Sequence, residues 1–319
     1  MHDIIPDIHG QGEKLHALLP KLGWRRGAAG WINDAPDREI VFLGDFIDRG
    51  PDNAGVIRTV RSLMDAGKAR AVMGNHELNA LHYHTRHPGT GEPLRARSAK
   101  NTAQHRTFLE AFPPDAPATR EVLAWMRSLP LYLETARFRA VHACWDEAVI
   151  AALARETRDG VLDEDQLVAA ADKNHALHAR VETTTKGPEV PLPEGHVFHD
   201  KEGRRREHVR LKWWQGEAAS WTDIAISVPD AAELPPGPLP EFARAGAYPA
   251  DARPVFFGHY WLYGRPALQA SNALCLDYSA GGDGPLLAYR VQSDAARLDV
   301  AHIVSADGSG GRKSGRSES

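Results

Sequence analysis

Cysteine is almost missing from this chain: Cys144 and Cys275 are the only two in 319 residues. Two thiols cannot build a disulfide framework, and each reads as a small buried side chain. Nor does any apolar run approach the roughly 18 residues of a membrane helix, and no basic segment leading into an apolar stretch opens the sequence. A soluble, cytoplasmic protein is therefore expected. Charge of one sign is also lacking. A formal net charge of −4, with 25% charged and 42% hydrophobic residues, describes an ordinary globule with no overall pull toward nucleic acid or an anionic membrane. Neither partner is expected, and no internal repeat is present.

What the sequence does contain is a series of short apolar runs, each emptying into side chains that can bind a metal or carry a proton. The clearest is VFLGDFIDRG at 41–50, which sets Asp45, Asp48 and Arg49 among glycines. Carboxylates at a buried strand end are costly unless positive charge lies between them. Arg49 can offset one; the other requires a cation. The pattern recurs: DIIPDIHG ends in Asp7 and His9, ARAVMGNHE in Asn75 and His76, FRAVHA in His142, and PVFFGHY in His259. Strands of an open α/β sheet present their carboxyl ends along one edge, so these runs predict convergence on one crevice. Carboxylate, amide and imidazole donors without thiolate suit Mn, Fe, Zn or Co. Asp7, His9, Asp45, Asn75, His142 and His259 are too many ligands for one ion with an open position. Two ions sharing Asp45 would use them all, in the arrangement that clamps the attacking and leaving oxygens at phosphorus.

In this order, DIHG, GDFIDRG, GNHE, the single His of AVHA and the FGHY segment resemble the calcineurin-like metallophosphoesterases. GDFIDRG with GNHE resembles the branch of phosphoprotein phosphatases and bacterial diadenosine tetraphosphatases. The likeness covers mainly residues 1–145 and 254–290, while 160–250 match nothing of functional use. It implies an α/β (α+β) fold, a four-layer α/β/β/α sandwich of two mixed sheets flanked by helices. The catalytic domain would span residues 1–304, with an insertion or lid at about 160–250. Residues 305–319, rich in Gly, Ser and Lys, read as a disordered tail.

Carried over residue by residue, the resemblance implies that Asp7, His9 and Asp45 hold one divalent ion. Asp45 would bridge to a second, held by Asn75, His142 and His259; Mn is the expected metal, with Fe, Zn, Co or Ni as alternatives. His76 would be the general acid, oriented by Asp48, and Arg49 would grip the phosphoryl oxygens while a metal-bridged hydroxide attacks phosphorus in line. Two departures stand out. Pro6 replaces the family's usual Gly, fixing φ and removing an N–H, so a distorted first loop and weaker metal binding by Asp7 and His9 are expected. Trp261 stands where many generic members carry a second His, which the phosphoprotein-phosphatase branch also lacks.

Elsewhere, spacing predicts helices over 11–22, 51–66, 101–112, 119–129 and 163–182, with 24–38 as a polar connection. His82, His84 and His87 read as solvated surface or substrate rim. HVFHDKEGRRREHVRLKWW reads as a hairpin about Lys201–Gly203, and PPGPLP at 235–240 as a stiff linker. Arg204, Arg205, Arg206, Arg210 and Lys212 form a basic ribbon beside Trp213 and Trp214. In the plain reading the tryptophans are core. In the sharper one the ribbon is a wall meeting an anionic substrate, with Trp as a stacking face for a nucleobase. Arg206, Arg210 and Tyr260 join Arg49 as substrate-binding candidates. The first functional reading is a Ser/Thr phosphoprotein phosphatase-like phosphomonoesterase acting on a phosphorylated substrate. The alternatives are a dinucleoside polyphosphate hydrolase of the diadenosine tetraphosphate type and a catalytically silent binding scaffold.

Overall fold

The apolar runs are strands, and successive side chains of each enter two different cores. β4 (Glu39–Phe42) points Val41 to one side and Ile40 and Phe42 to the other; β13 (Val255–Phe257) divides Phe256 from Val255 and Phe257 in the same way. Both faces are buried, which is why these segments are continuously apolar. The structure is a computed structural model describing all residues except 29, 201–202, 217, 244–247, 293–296 and 307–319.

The first sheet runs β16–β15–β1–β4–β5. Its β1 (His2–Ile5), β4 and β5 (Ala69–Ala71) are parallel, and β15 (Leu287–Val291) and β16 (Ile303–Ser305) join antiparallel. The second runs β14–β13–β7–β6. There β14 (Ala273–Cys275), β13 and β7 (Arg139–Val141) are parallel, and β6 (Tyr132–Glu134) is an antiparallel edge. Ile4, Val41, Phe138, Phe256, Leu274 and Tyr289 pack between the sheets. Outside the first lie α1 (Gly12–Lys21) and α2 (Asn53–Asp65), through Leu15, Leu18, Val56 and Val60. Outside the second lie Ile150 of α7 (Glu147–Glu156) and the pair Trp213 and Trp214. This is the mixed α/β sandwich of two sheets that was expected. One premise needs correction: the polar run-ends come from two facing sheets, β1, β4 and β5 from one and β7 and β13 from the other, not from the edge of one open sheet.

Several local expectations also change. Residues 24–33 form a hairpin, β2 (Trp24–Gly27) with β3 (Gly30–Asn33), because Trp24 and Trp31 supply apolar anchors that the surrounding Arg and Gly obscure. After α3 (Asn75–His84), the expected helix at 101–112 is two, α4 (Ala99–Gln104) and α5 (Arg106–Ala111), broken at His105, and α6 (Pro117–Arg127) follows. Residues 163–182 likewise divide into α8 (Glu164–Ala171) and α9 (Ala176–Lys186), since Asp172 turns extended and His175 caps the second helix.

Beyond α9, β8 (Glu189–Pro191), β11 (His208–Leu211) and β12 (Ala225–Ile226) make a small sheet, and β9 (Phe198–His199) pairs with β10 (Arg205–Arg206). The expected hairpin exists, though 201–202 at its tip lie outside the described residues. PPGPLP is not a linker: Leu239 is buried with Leu192, Phe198, Val209 and Trp221. Of the expected tail, Ser305 ends β16 and Ala306 is buried, and 307–319 lie outside the described residues. Among the described residues, no helix is long and apolar enough to cross a membrane.

Candidate active site

At the carboxyl ends of β1 and β4 the chain reverses sharply, and the two loops are laced together. The N–H groups of Ile8 and His9 both donate to Asp45 O at 3.0 and 2.8 Å, Gly10 N–H donates to Phe46 O at 2.8 Å, and Gly50 N–H donates to His9 O at 2.9 Å. Pro6 does not prevent this docking, since the donors used are those of the following residues. The turns demand left-handed backbone at His9, Asp45, Asp48, Arg49, His259 and Trp261, all with φ between 49° and 74°. Such conformations cost roughly 1–3 kcal/mol each outside glycine, and their concentration here marks strain held by the surrounding fold. Gly74 faces Asp45 so closely that a Cβ there would overlap the carboxylate, and one on Gly258 would overlap Asp7 Oδ1. These glycines let backbone approach the ligand-like side chains.

Glu77, the last residue of GNHE, is fully buried and accepts N–H bonds from Asp45 at 2.8 Å, Phe46 at 2.8 Å and Gly74 at 3.0 Å. It fixes the loop after β4 against the start of α3, and burial together with Asp45 pushes its carboxyl up to about 7.

Five of the six expected ligands, His9, Asp45, Asn75, His142 and His259, meet around Asp45, and Asp7 accepts from the backbone of His259. His9 Nε2 lies 3.6 Å and His142 Nε2 3.4 Å from Asp45 Oδ2, and Asn75 Oδ1 lies 3.1 Å from His142 Nε2. Donor atoms of Asp45, His142 and His259 lie within 4.8 Å of one another, as do those of His9, Asp45 and His76. The His259 N–H donates to both Asp7 oxygens at 3.1 Å, tying the second sheet to the first. His9 and His142 are oriented by their other nitrogens, Nδ1 against Ile47 O at 3.0 Å and Leu43 O at 2.7 Å. This backbone support is typical behind metal-binding imidazoles.

Electrostatics fit a cation. Burial and the neighbouring Asp277 raise the Asp7 carboxyl well above its usual range. Burial opposes charge on His142, yet Asp45 and Asp7 lift it to about 10. Burial, followed by His76, lowers His9 to about 3. The Nε2 atoms of His9 and His259 are buried without a hydrogen-bond partner. Two orphaned imidazole nitrogens beside buried carboxylates suit a divalent cation, so the donor set around Asp45 fits metal binding.

Beside these groups, His76 Nδ1 and Asp48 Oδ2 are 2.6 Å apart. Burial disfavours charge on His76, but Asp45 and the bond to Asp48 outweigh it and raise its pKa. Asp48 has a second imidazole that the motifs do not contain: His105 Nδ1 lies 2.8 Å from Oδ1. His105, at the break between α4 and α5, is buried and stacked on Phe108, with ring centroids 4.6 Å apart. The Arg49 guanidinium lies 4.2 Å above the Trp261 ring, whose centroid is 5.6 Å from that of His9. Trp261 therefore steadies Arg49 by a cation–π contact.

These groups open into a cavity of about 730 Å³. Arg206 and Arg210 line it, as does Arg204; Arg205 pairs outside with Glu207 at 3.0 Å, and Lys212 donates to Asp223 O at 2.8 Å. Tyr260 borders the cavity, but its ring is only 2% exposed and packs with Trp214 and Phe257, so it braces the wall. Trp213 and Trp214 are buried core and offer no stacking face, whereas Tyr263 on the lining is 66% exposed. The histidine cluster is not simply surface: His82 is buried against Leu167 O at 3.1 Å, and only His87 is exposed. Besides His105 and Glu77, sequence reasoning missed Asp277. It is buried after β14, accepts from Trp261 N–H at 2.8 Å, and is pushed by burial to about 6. Its signal was another apolar run ending in a carboxylate.

Residues 3–147 match the family described as calcineurin-like phosphoesterase. The chain is 33% identical over 132 residues to the asymmetrical bis(5'-nucleosyl)-tetraphosphatase of Bacillus velezensis, a stretch covering 41% of this chain and 50% of that protein. It is 28% identical over 302 residues to the symmetrical bis(5'-nucleosyl)-tetraphosphatase of a Janthinobacterium species, covering 93% and 94% respectively. The chain thus spans half the length of the first relative and nearly all of the second. Among solved structures, the cold-active protein-tyrosine phosphatase of a Shewanella species is similar with a TM-score of 0.48 and 16% identity, over 91% of this chain and 75% of that one. The matched region carries DIHG, GDFIDRG, GNHE and the His142 strand, so residues 3–147 of this chain are similar to the calcineurin-like phosphoesterases.

Proposed function

We propose that this protein hydrolyses a dinucleoside polyphosphate at a centre of two divalent ions, Asp7, His9 and Asp45 holding one and Asp45, Asn75, His142 and His259 the other. When bound, such ions supply a water acidic enough to attack near neutral pH and charge to neutralise phosphoryl oxygens. The chain's own residues do the rest. Arg49, steadied on Trp261, presents a fork matched to two phosphoryl oxygens. His76 has Nδ1 committed to Asp48 and so offers Nε2 to the leaving oxygen as general acid.

The observation that carries the reading is the convergence of Asp45, His142, His259, His9 and His76 beneath a cavity large enough for a nucleotide and walled by arginines. The sequence motifs put a phosphoprotein phosphatase first and a dinucleoside polyphosphate hydrolase second. The names of the relatives favour the nucleotide substrate, and so does the arginine-walled cavity, which has room for a nucleotide. Turnover of diadenosine tetraphosphate and of a phosphopeptide by equal amounts of Mn-loaded protein decides between them: the reading expects the dinucleotide to win by at least tenfold in kcat/KM, and a phosphopeptide preference reverses it. Asp45→Asn should abolish turnover of either and reduce bound metal, measured by elemental analysis.

A further inference from the structure

The cavity holds a guanidinium that no catalytic motif contains. Arg95 lies in the connection after α3, half-buried on the lining. Its Nη1 donates to Asn79 Oδ1 at 2.7 Å, and its Nη2 to Asn101 Oδ1 at 3.1 Å and Gln104 Oε1 at 3.2 Å. All three acceptors are neutral amides, and among the described residues no carboxylate oxygen lies within salt-bridge distance of it. Three other cations of this wall differ: Arg206 and Arg210 share Glu189 at 3.9 and 3.0 Å, and Lys186 is paired with Glu182. Burial lowers the pKa of Arg95, with Asp48 and Glu182 acting against it.

Three side chains from two helices are therefore spent on orienting one arginine without neutralising it. Amide oxygens fix the plane of the fork and leave its charge and remaining N–H groups for something else. Location says what. Asn79 follows His76 by three residues on α3, so the two share a face one turn apart, roughly 4.5 Å along the axis. Arg95 thus stands on the side of the site where His76 would meet the leaving group. A simple alcohol leaving there has no charge to offer; a phosphate has.

We propose that Arg95 is a binding residue for a second phosphoryl group, the one on the leaving side of the bond that is cut, and that it selects substrates whose leaving group is itself a phosphate. This rests on the phosphoesterase reading of the neighbouring site, and it does not require that the substrate carry two nucleosides.

Methylphosphonate and methylenediphosphonate differ by one phosphoryl group and contain no P–O–P bond to hydrolyse. Their dissociation constants are to be measured by calorimetry on Mn-loaded protein, with the same free Mn in cell and syringe. Wild type should bind the diphosphonate more tightly. Arg95→Ala should weaken it about tenfold, as expected for loss of a charge-assisted contact, while methylphosphonate changes less than threefold. Equal weakening of both ligands, or no change in either, overturns the proposal. Because Arg95 also joins α3 to α4, Arg95→Gln is tested beside it: it can keep an amide bond to the helices but carries no charge, and it should show the same selective loss. Turnover of diadenosine tetraphosphate is a separate measurement, so failure of the nucleotide reading leaves this result standing or falling by itself.

Discussion

His76 is held by one nitrogen, which leaves the other for the proposed acid role, and that division makes the role measurable. A proton donor matters most when the departing oxygen is a poor leaving group. His76→Asn is therefore expected to cost roughly 10²–10⁴-fold on an alkyl phosphate and far less on p-nitrophenyl phosphate. His105 should leave a fainter version of the same signature. His105→Phe keeps a ring against Phe108 but frees Asp48 Oδ1, so Asp48 no longer holds His76 at a fixed angle. The slope of log kcat/KM against leaving-group pKa should steepen, with about a tenfold loss on the poorest leaving group. A uniform loss across the series would make His105 a packing residue only. The proposed metal donors were legible in the sequence because each sits directly after an apolar run. His105 and Arg95 were not: nothing near Asp48 in the chain announces a partner 57 residues away, and Arg95 is defined only by the helices that fold over it.

At the scale of elements, the sequence was most legible where burial is two-sided. The strands that deliver the site are legible from the apolar runs that end in its side chains, as are α1 and α2 from their helical spacing. Reading failed where a polar residue breaks a helix by its tertiary bonds, as at His105, or where two tryptophans alone hold a hairpin, as in 24–33. His82 is another tertiary bond of this kind, fastening α3 to α8 through Leu167 O. Burial lowers its imidazole from 6.5 to about 4, so the folded protein prefers the neutral ring. The sign follows: below pH 6.5 the unfolded chain takes up a proton that the folded one resists, and stability falls as pH drops from 6.5 through about 4. The loss attributable to this residue approaches about 3 kcal/mol. His82→Phe should be less stable than wild type at pH 7, by about 1 kcal/mol for the lost bond. The gap should close or invert by pH 4.5. Denaturant midpoints at several pH values measure it; a gap independent of pH would show that the ring does not titrate in this window.

For the whole molecule, the consequential fact is that the two sheets meet at the site through charges as well as through the shared apolar core. Asp7, Asp45 and Asn75 follow strands of the first sheet, His142 and His259 strands of the second. Apart from cations, the polar tie across this seam includes the His259 N–H to Asp7 and the short contacts of His142 with Asp45 and Asn75. In the unfolded chain the same donors are dispersed and bind weakly, so metal binding should act as a clamp on folding. At a free concentration one hundred times the dissociation constant, a single site adds about 2.7 kcal/mol. Adding Mn to chelator-treated protein should raise the melting temperature by several degrees, and Asp45→Asn, which removes the donor common to both clusters, should lose most of that increment. Protons compete for these positions: His142, raised to about 10 by Asp45 and Asp7 against the effect of burial, must give up its proton to bind. The Mn-dependent increment should accordingly grow as pH rises from 6 to 8. An increment that survives in Asp45→Asn, or that shrinks over that range, would mean the ions bind elsewhere on the surface and leave the seam between the sheets unbridged.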